Sequence, residues 1–169
     1  MSTRSIIARP EGDSWRGRYV HSDGYPTGVL DKLAKLIARD GYDVATRTLL
    51  DDNYGWSALY DTQPARLPAG HPYGKDKRFR AVKGDGVAYT DTVVDMGPGQ
   101  RDYQQTTAEE WGTPENDMDA DWVYVVTPGA VTVLVPQMFG EGFRRVASVT
   151  WSSLNADRLS KIERMGEGS

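Results

Sequence analysis

The most regular pattern in the chain begins at Pro26. Val29, Leu30, Leu33, Leu36 and Ile37 recur at the i, i+1, i+4, i+7, i+8 spacing that lays one apolar stripe along a helix. Pro26 suits the first turn, where its missing N–H is harmless, and Asp31 and Lys35 form an i,i+4 pair on the polar side. Gly41 stands where a left-handed C-cap is expected. Asp43 is placed to cap a second, shorter helix through about Leu50, which Asp51-Asp52-Asn53-Tyr54-Gly55 breaks. Trp56, Leu59 and Tyr60 read as one further helical turn.

Extended structure is expected toward both chain ends. Arg4 to Arg9 and Arg16 to His21 flank the turn chemistry of Glu11-Gly12-Asp13 and read as a hairpin. Trp122 to Val126 and Val131 to Val135 flank Thr127-Pro128-Gly129, where Pro-Gly predicts a type II turn in a second hairpin. Val87 to Val94 and Arg145 to Trp151 read as strands. Ser153 to Met165 reads as a closing helix that partly buries Leu154, Leu159 and Ile162. Gln63 to Arg80 shows no sustained period, and Asp95 to Pro114 reads as loop. Strands at both ends with helices between them predict an α+β fold of one domain, residues 1–169. Its mostly antiparallel sheet is built from both chain ends and covered on one face by two or three helices.

Composition narrows the chemistry. A chain of 169 residues, 38% apolar and 26% charged, is long enough for one core and has no apolar run approaching the ~18 to 20 residues of a membrane-spanning helix. No membrane association is expected. Arg9 and Glu11 interrupt any early apolar stretch, so no secretory signal is read and a cytoplasmic protein is expected. The absence of cysteine removes disulfides, thiolate catalysis and cysteine zinc sites together. A net charge of -4 and a pI near 5.2 provide no global attraction to nucleic acid.

Three short stretches resemble a known group. Met1-Ser2-Thr3-Arg4, then His21-Ser22-Asp23-Gly24-Tyr25-Pro26 followed by Gly28, and the Trp122 to Val126 strand are similar to a family of small, uncharacterised phage and bacterial proteins. Its members open Met-[small]-Thr-Arg and carry His-x-Asp-Gly-Tyr-Pro leading into a helix. Where the family usually has an aromatic residue between His and Asp, this chain has Ser22. The resemblance implies a phage or prophage origin, and hence the host cell cytoplasm. It implies no reaction.

Four groups of residues carry candidate chemistry. His21 and Asp23, at i,i+2, share a face if their strand continues, and there they form a general-base or metal-binding couple with Arg4 or Arg18 as an anion clamp; alternatively Asp23 accepts backbone N–H bonds at the helix entrance. Asp117, Asp119 and Asp121 have the alternating acid spacing that opens a calcium loop. Trp122 and Pro128 stand where such a loop needs Gly and Glu, so a solvated acidic turn is the simpler expectation. Lys75, Lys77, Arg78, Arg80 and Lys83, with Phe79 among them, form the basic cluster, a device for stacking and neutralising single-stranded nucleic acid that Asp76 dilutes. The acidic run Glu109, Glu110, Glu115, Asp117, Asp119, Asp121 pairs with it or imitates nucleic acid.

Five Trp and nine Tyr are a large aromatic area for this length, and Trp56, Tyr60, Trp111 and Trp151 are candidate interface anchors as well as core residues. Searches for a nucleophile elbow, a phosphate-binding glycine loop and a zinc-protease helix find none. The leading expectation is a phage-type accessory protein that binds another protein, without cofactor or catalysis. A small hydrolase or metal-dependent enzyme centred on His21 and Asp23 is the alternative, with nucleic-acid binding through residues 75–83 the third.

Overall fold

The computed structural model describes residues 3–51, 55, 56, 59, 79–81, 88–90 and 110–167. Strands β1 (Ser5–Glu11) and β2 (Ser14–Val20) form the N-terminal hairpin. Helix α1 (Pro26–Asp40) follows, then the short α2 (Tyr42–Thr46) and a π-helical turn (Arg47–Asp51). A small antiparallel pair, β3 (Phe79–Ala81) and β4 (Ala88–Thr90), stands apart from the main sheet. Strands β5 (Trp122–Val126), β6 (Ala130–Pro136) and β7 (Phe143–Thr150) form two successive hairpins, and α3 (Ala156–Glu167) closes the described chain. Among the described residues no helix is long and apolar enough to cross a membrane.

The five-stranded sheet has the order β2-β1-β5-β6-β7. All its neighbours are antiparallel except β1 and β5, which run parallel because the long connection carrying α1 and α2 returns the chain to the same end of the sheet. The two ends of the chain thus meet at the centre of one mixed, mostly antiparallel sheet, and the fold is α+β as expected.

Strand alternation sorts the side chains between the faces. Val131, Val133 and Val135 of β6 point to the helical side with Ile7, Val20, Trp122, Tyr124, Val126 and Val149. Leu30, Leu33 and Leu36 of α1 lie over them, all at 0% exposure, with Leu159 and Ile162 of α3 beside them. The Glu163 carboxylate of α3 accepts from the Thr27 hydroxyl at 2.8 Å, fixing one helix against the other. The opposite face buries a smaller cluster of Ile6, Ala8, Trp15, Ala120 and Val123. Trp15 of β2 meets Phe143 of β7 edge to face at 5.5 Å. Four strand spacings on a flat sheet separate the outer strands by ~19 Å, so this contact requires the sheet to curl toward the face away from the helices.

Several local expectations change in the structure. Gly41 has φ 85° and ψ 154°, a positive φ reserved for glycine but outside the left-handed helical region, and its N–H still closes α1 on the Ile37 carbonyl at 2.8 Å. The N-cap of α2 is Gly41, so Asp43 lies inside the first turn and caps nothing. Trp56 forms a parallel bridge to Val20 in place of a helical turn; its indole N–H also donates to the Leu49 carbonyl at 2.9 Å, which fixes it as an extended edge residue. Gly129 has no positive φ, so the β5–β6 turn is not type II. The Thr127 carbonyl that would close such a turn accepts from the Trp151 indole at 2.9 Å, and the Ala130 N–H turns to the Thr127 hydroxyl at 3.2 Å. The strand read at Val87 to Val94 is observed over Ala88–Thr90, and 91–94 lie outside the described residues.

Candidate functional site

The two edges of the sheet are finished differently. On the outer side of β2, the Gly17 N–H donates to the Gly112 carbonyl at 2.9 Å and the Gly112 N–H returns to the Gly17 carbonyl at 2.8 Å. Further along, the Trp56 N–H donates to the Tyr19 carbonyl at 2.7 Å and the His21 N–H to the Trp56 carbonyl at 2.9 Å. That edge is capped. Among the described residues no strand or bridge occupies the outer side of β7, which presents its unpaired backbone groups over Phe143–Thr150.

Beside this open edge runs a groove of about 500 Å³ between β7 and α3. Ala147, Val149, Ile162 and Met165 supply its apolar lining, and Arg158 and Lys161 its cations. Arg158, Lys161, Ile162 and Met165 fall at i, i+3, i+4, i+7, one stripe of α3, which is why the helix presents them together. The Arg144 guanidinium donates to the Met165 carbonyl at 3.1 Å and ties the start of the strand to the end of the helix. Arg158, Lys161 and Arg145 form no ion pair among the described residues, and Asp157 is the one acid in the groove lining. At the head of β7, the β6–β7 turn lifts Met138 and Phe139 into solvent at 68% and 85% exposure.

A second cluster lies at the β2 side. Cross-strand pairing sets Arg9 opposite Arg16, with Arg18 two residues on along the same face. Trp111 presents its ring to both Arg16 and Arg18, whose guanidinium carbons lie 3.6 and 3.5 Å from the ring centroid. Arg9 makes a bidentate pair with Asp51, both hydrogen bonds at 2.8 Å, and this holds the Asp51 carboxyl below its ordinary range. Arg18 is 4% exposed and donates to the Leu50 carbonyl at 2.9 Å. The cluster fastens the 110–113 segment and the π-helical turn onto the sheet.

His21 and Asp23 are not brought together. β2 ends at Val20 and Asp23 takes φ 56°, which turns the chain before an i,i+2 pair can share a strand face. His21 Nδ1 lies 3.2 Å from the Tyr19 hydroxyl. Asp23 acts on Tyr25, whose phenol it raises above the usual value chiefly by its charge. The N-cap of α1 is Tyr25, with no side-chain cap from Asp23. What the Asp-Gly-Tyr-Pro stretch does structurally is clearer at Gly24, whose carbonyl accepts from the buried Tyr124 hydroxyl at 2.5 Å and whose α-carbon lies so close to Ser5 that a methyl would meet its Oγ at 2.7 Å.

The remaining candidates scatter. Asp121 accepts from the Arg4 backbone N–H at 3.0 Å and Asp117 from that of Asp119 at 3.0 Å, and among the described residues no three His, Asp or Glu side chains gather to hold a metal. Trp56 is 1% exposed and belongs to the core, so it is not available as a surface anchor. Trp111 and Trp151 are partly buried against that core. Tyr60, Lys77 and Arg78 lie outside the described residues, while Phe79 and Arg80 belong to β3, paired with Thr90 and Tyr89. Of the groove residues the sequence reading singled out only Ile162, as part of the closing helix's buried face, although the i, i+3, i+4, i+7 spacing of Arg158 to Met165 was a usable signal.

These elements define a mixed α+β sheet with helices on one face, one capped edge and, among the described residues, one open edge. Compared with protein-family models, curated proteins and solved structures, the chain matches none.

Proposed function

We propose that this is a phage-type accessory protein, working in the host cytoplasm without catalysis, that takes an extended segment of another protein onto the outer edge of β7. The observation that carries this reading is the asymmetry of the sheet: Gly112 and Trp56 cap β2, whereas among the described residues nothing pairs with the outer edge of β7, which runs along a groove with an apolar lining. An unpaired strand edge is a template for another strand, which folds otherwise cover, break or guard with charge. Strand addition supplies main-chain hydrogen bonds for affinity, while a neighbouring groove selects alternate side chains. Met138 and Phe139, exposed at the head of β7, extend the apolar surface available to the same partner. The resemblance of the first residues and of the His21 to Pro26 stretch to small phage proteins supports the phage setting.

Decapeptides selected from a random displayed library provide the test. Selected peptides are expected to shift the backbone amide resonances of Phe143–Thr150 and Ala156–Glu167 and to protect β7 amides from hydrogen exchange. Peptides that bind and leave those two elements unmoved overturn the reading, as does a library that yields no binder.

A further inference from the structure

Resting on that docking reading, we infer that the segment taken up by the β7 edge is acidic. A strand laid along β7 directs every second side chain toward the groove. There it meets the apolar surface of Ala147, Val149, Ile162 and Met165, and then the ammonium of Lys161 and the guanidinium of Arg158. Neither cation is committed to an ion pair among the described residues, and Lys161 leaves Asp157 unpaired although it lies one helical turn away. Arg144 stands at the Met165 end of the groove, and Arg145 is exposed on β7 itself. In a chain whose net charge is -4, this edge carries a local excess of positive charge. A segment whose groove-facing positions, every second residue, include both apolar residues and Asp or Glu fits that surface: the apolar ones fill the floor and the carboxylates reach Arg158 and Lys161, which form no ion pair among the described residues.

A second copy of this chain fits less well. Two-fold pairing of β7 with itself brings Arg158, Lys161 and Arg145 of one copy toward those of the other, and like charges set face to face oppose association. The length of β7, eight residues, bounds the segment that can be held in register.

The test uses the full chain and decapeptides selected on it from a random displayed library. The selected set is expected to be enriched in Asp and Glu. Fluorescence anisotropy is expected to show affinity falling as ionic strength rises from low to physiological salt, where exposed charges more than ~8 Å apart are largely screened. Charge reversal by Arg158→Glu with Lys161→Glu is expected to weaken binding by about ten-fold or more and to leave the circular dichroism spectrum unchanged, since both side chains are exposed. Neutral or basic peptides that still perturb β7 and α3 sink the acidic preference and leave strand docking standing. Unchanged affinity in the double variant has the same meaning. Peptides that bind elsewhere, or doubling of mass in sedimentation as the occupant of the edge, overturn the docking reading and this inference together.

Discussion

Tyr124 shows how much a single atom contributes. Its ring lies at 0% exposure in the centre of the sheet, and its hydroxyl donates to the Gly24 carbonyl at the entrance to α1. Removing that hydroxyl as Tyr124→Phe leaves a buried carbonyl without its donor, a loss of about 1–3 kcal/mol readable in urea unfolding. Burial first, and the Glu163 charge second, push the Tyr124 phenol well above its usual value. A group raised in the folded state adds stability that is complete below its unfolded pKa of about 10 and is lost as pH climbs through the folded one. The wild-type chain is therefore expected to lose more stability than Tyr124→Phe between about pH 9 and about pH 11, with Tyr25 and Tyr42, also raised, leaving the variant a residual slope. Equal losses would mean that this phenol ionises as readily in the folded chain as in the unfolded one.

Strands and helices were legible where their signal is local. The stripe from Val29 to Leu36 and the Pro26 start fixed α1, and the alternation of Val131, Val133 and Val135 fixed the buried face of β6. What stayed hidden depends on partners distant in sequence. The Trp151 indole took the Thr127 carbonyl and changed a turn that Pro-Gly alone assigned to type II. Trp56 reads as helix from its neighbours and as an edge residue from its bonds to Tyr19 and His21. The open groove was hidden for the same reason, because which strand ends a sheet is a property of the topology and not of that strand's own residues. Gly17 joins these levels. A Cβ there would sit 2.1 Å from the Ile7 carbonyl oxygen and 2.6 Å from the Ala8 α-carbon, backbone atoms that cannot swing aside. Gly17→Ala is expected to separate the β1–β2 ladder and weaken the Gly112 cap together, at about 3 kcal/mol or more. Thermal unfolding within about 1 kcal/mol of wild type would show that the ladder absorbs the methyl.

A capped β2 edge and a β7 edge that is open among the described residues have consequences for assembly. The acids Glu110, Glu115, Asp117, Asp119 and Asp121 sit in the segment that caps β2 and leads into β5, whereas Arg144, Arg145, Arg158 and Lys161 sit about β7. A molecule with an acidic edge and a basic edge can stack head to tail, and such heterologous contacts run on into filaments when nothing closes them. The Gly17–Gly112 pairing occupies the β2 hydrogen-bonding groups that a neighbouring β7 would need, so opposite charges alone do not complete a strand contact. At β7 the guard is side-chain charge. Arg145 is exposed, lies opposite Leu134 on β6 and points to the face away from the helices, where it disfavours pairing with another apolar edge. Replacing it as Arg145→Val keeps a strand-forming residue and removes the charge from an edge that is unpaired among the described residues. Sedimentation velocity is expected to find the wild-type chain monomeric and Arg145→Val shifted toward dimers and larger species at the same concentration, the shift suppressed by a saturating groove-binding peptide. A variant that remains monomeric would place the guard elsewhere on the edge, and a variant that associates equally with peptide bound would place the new contact away from β7.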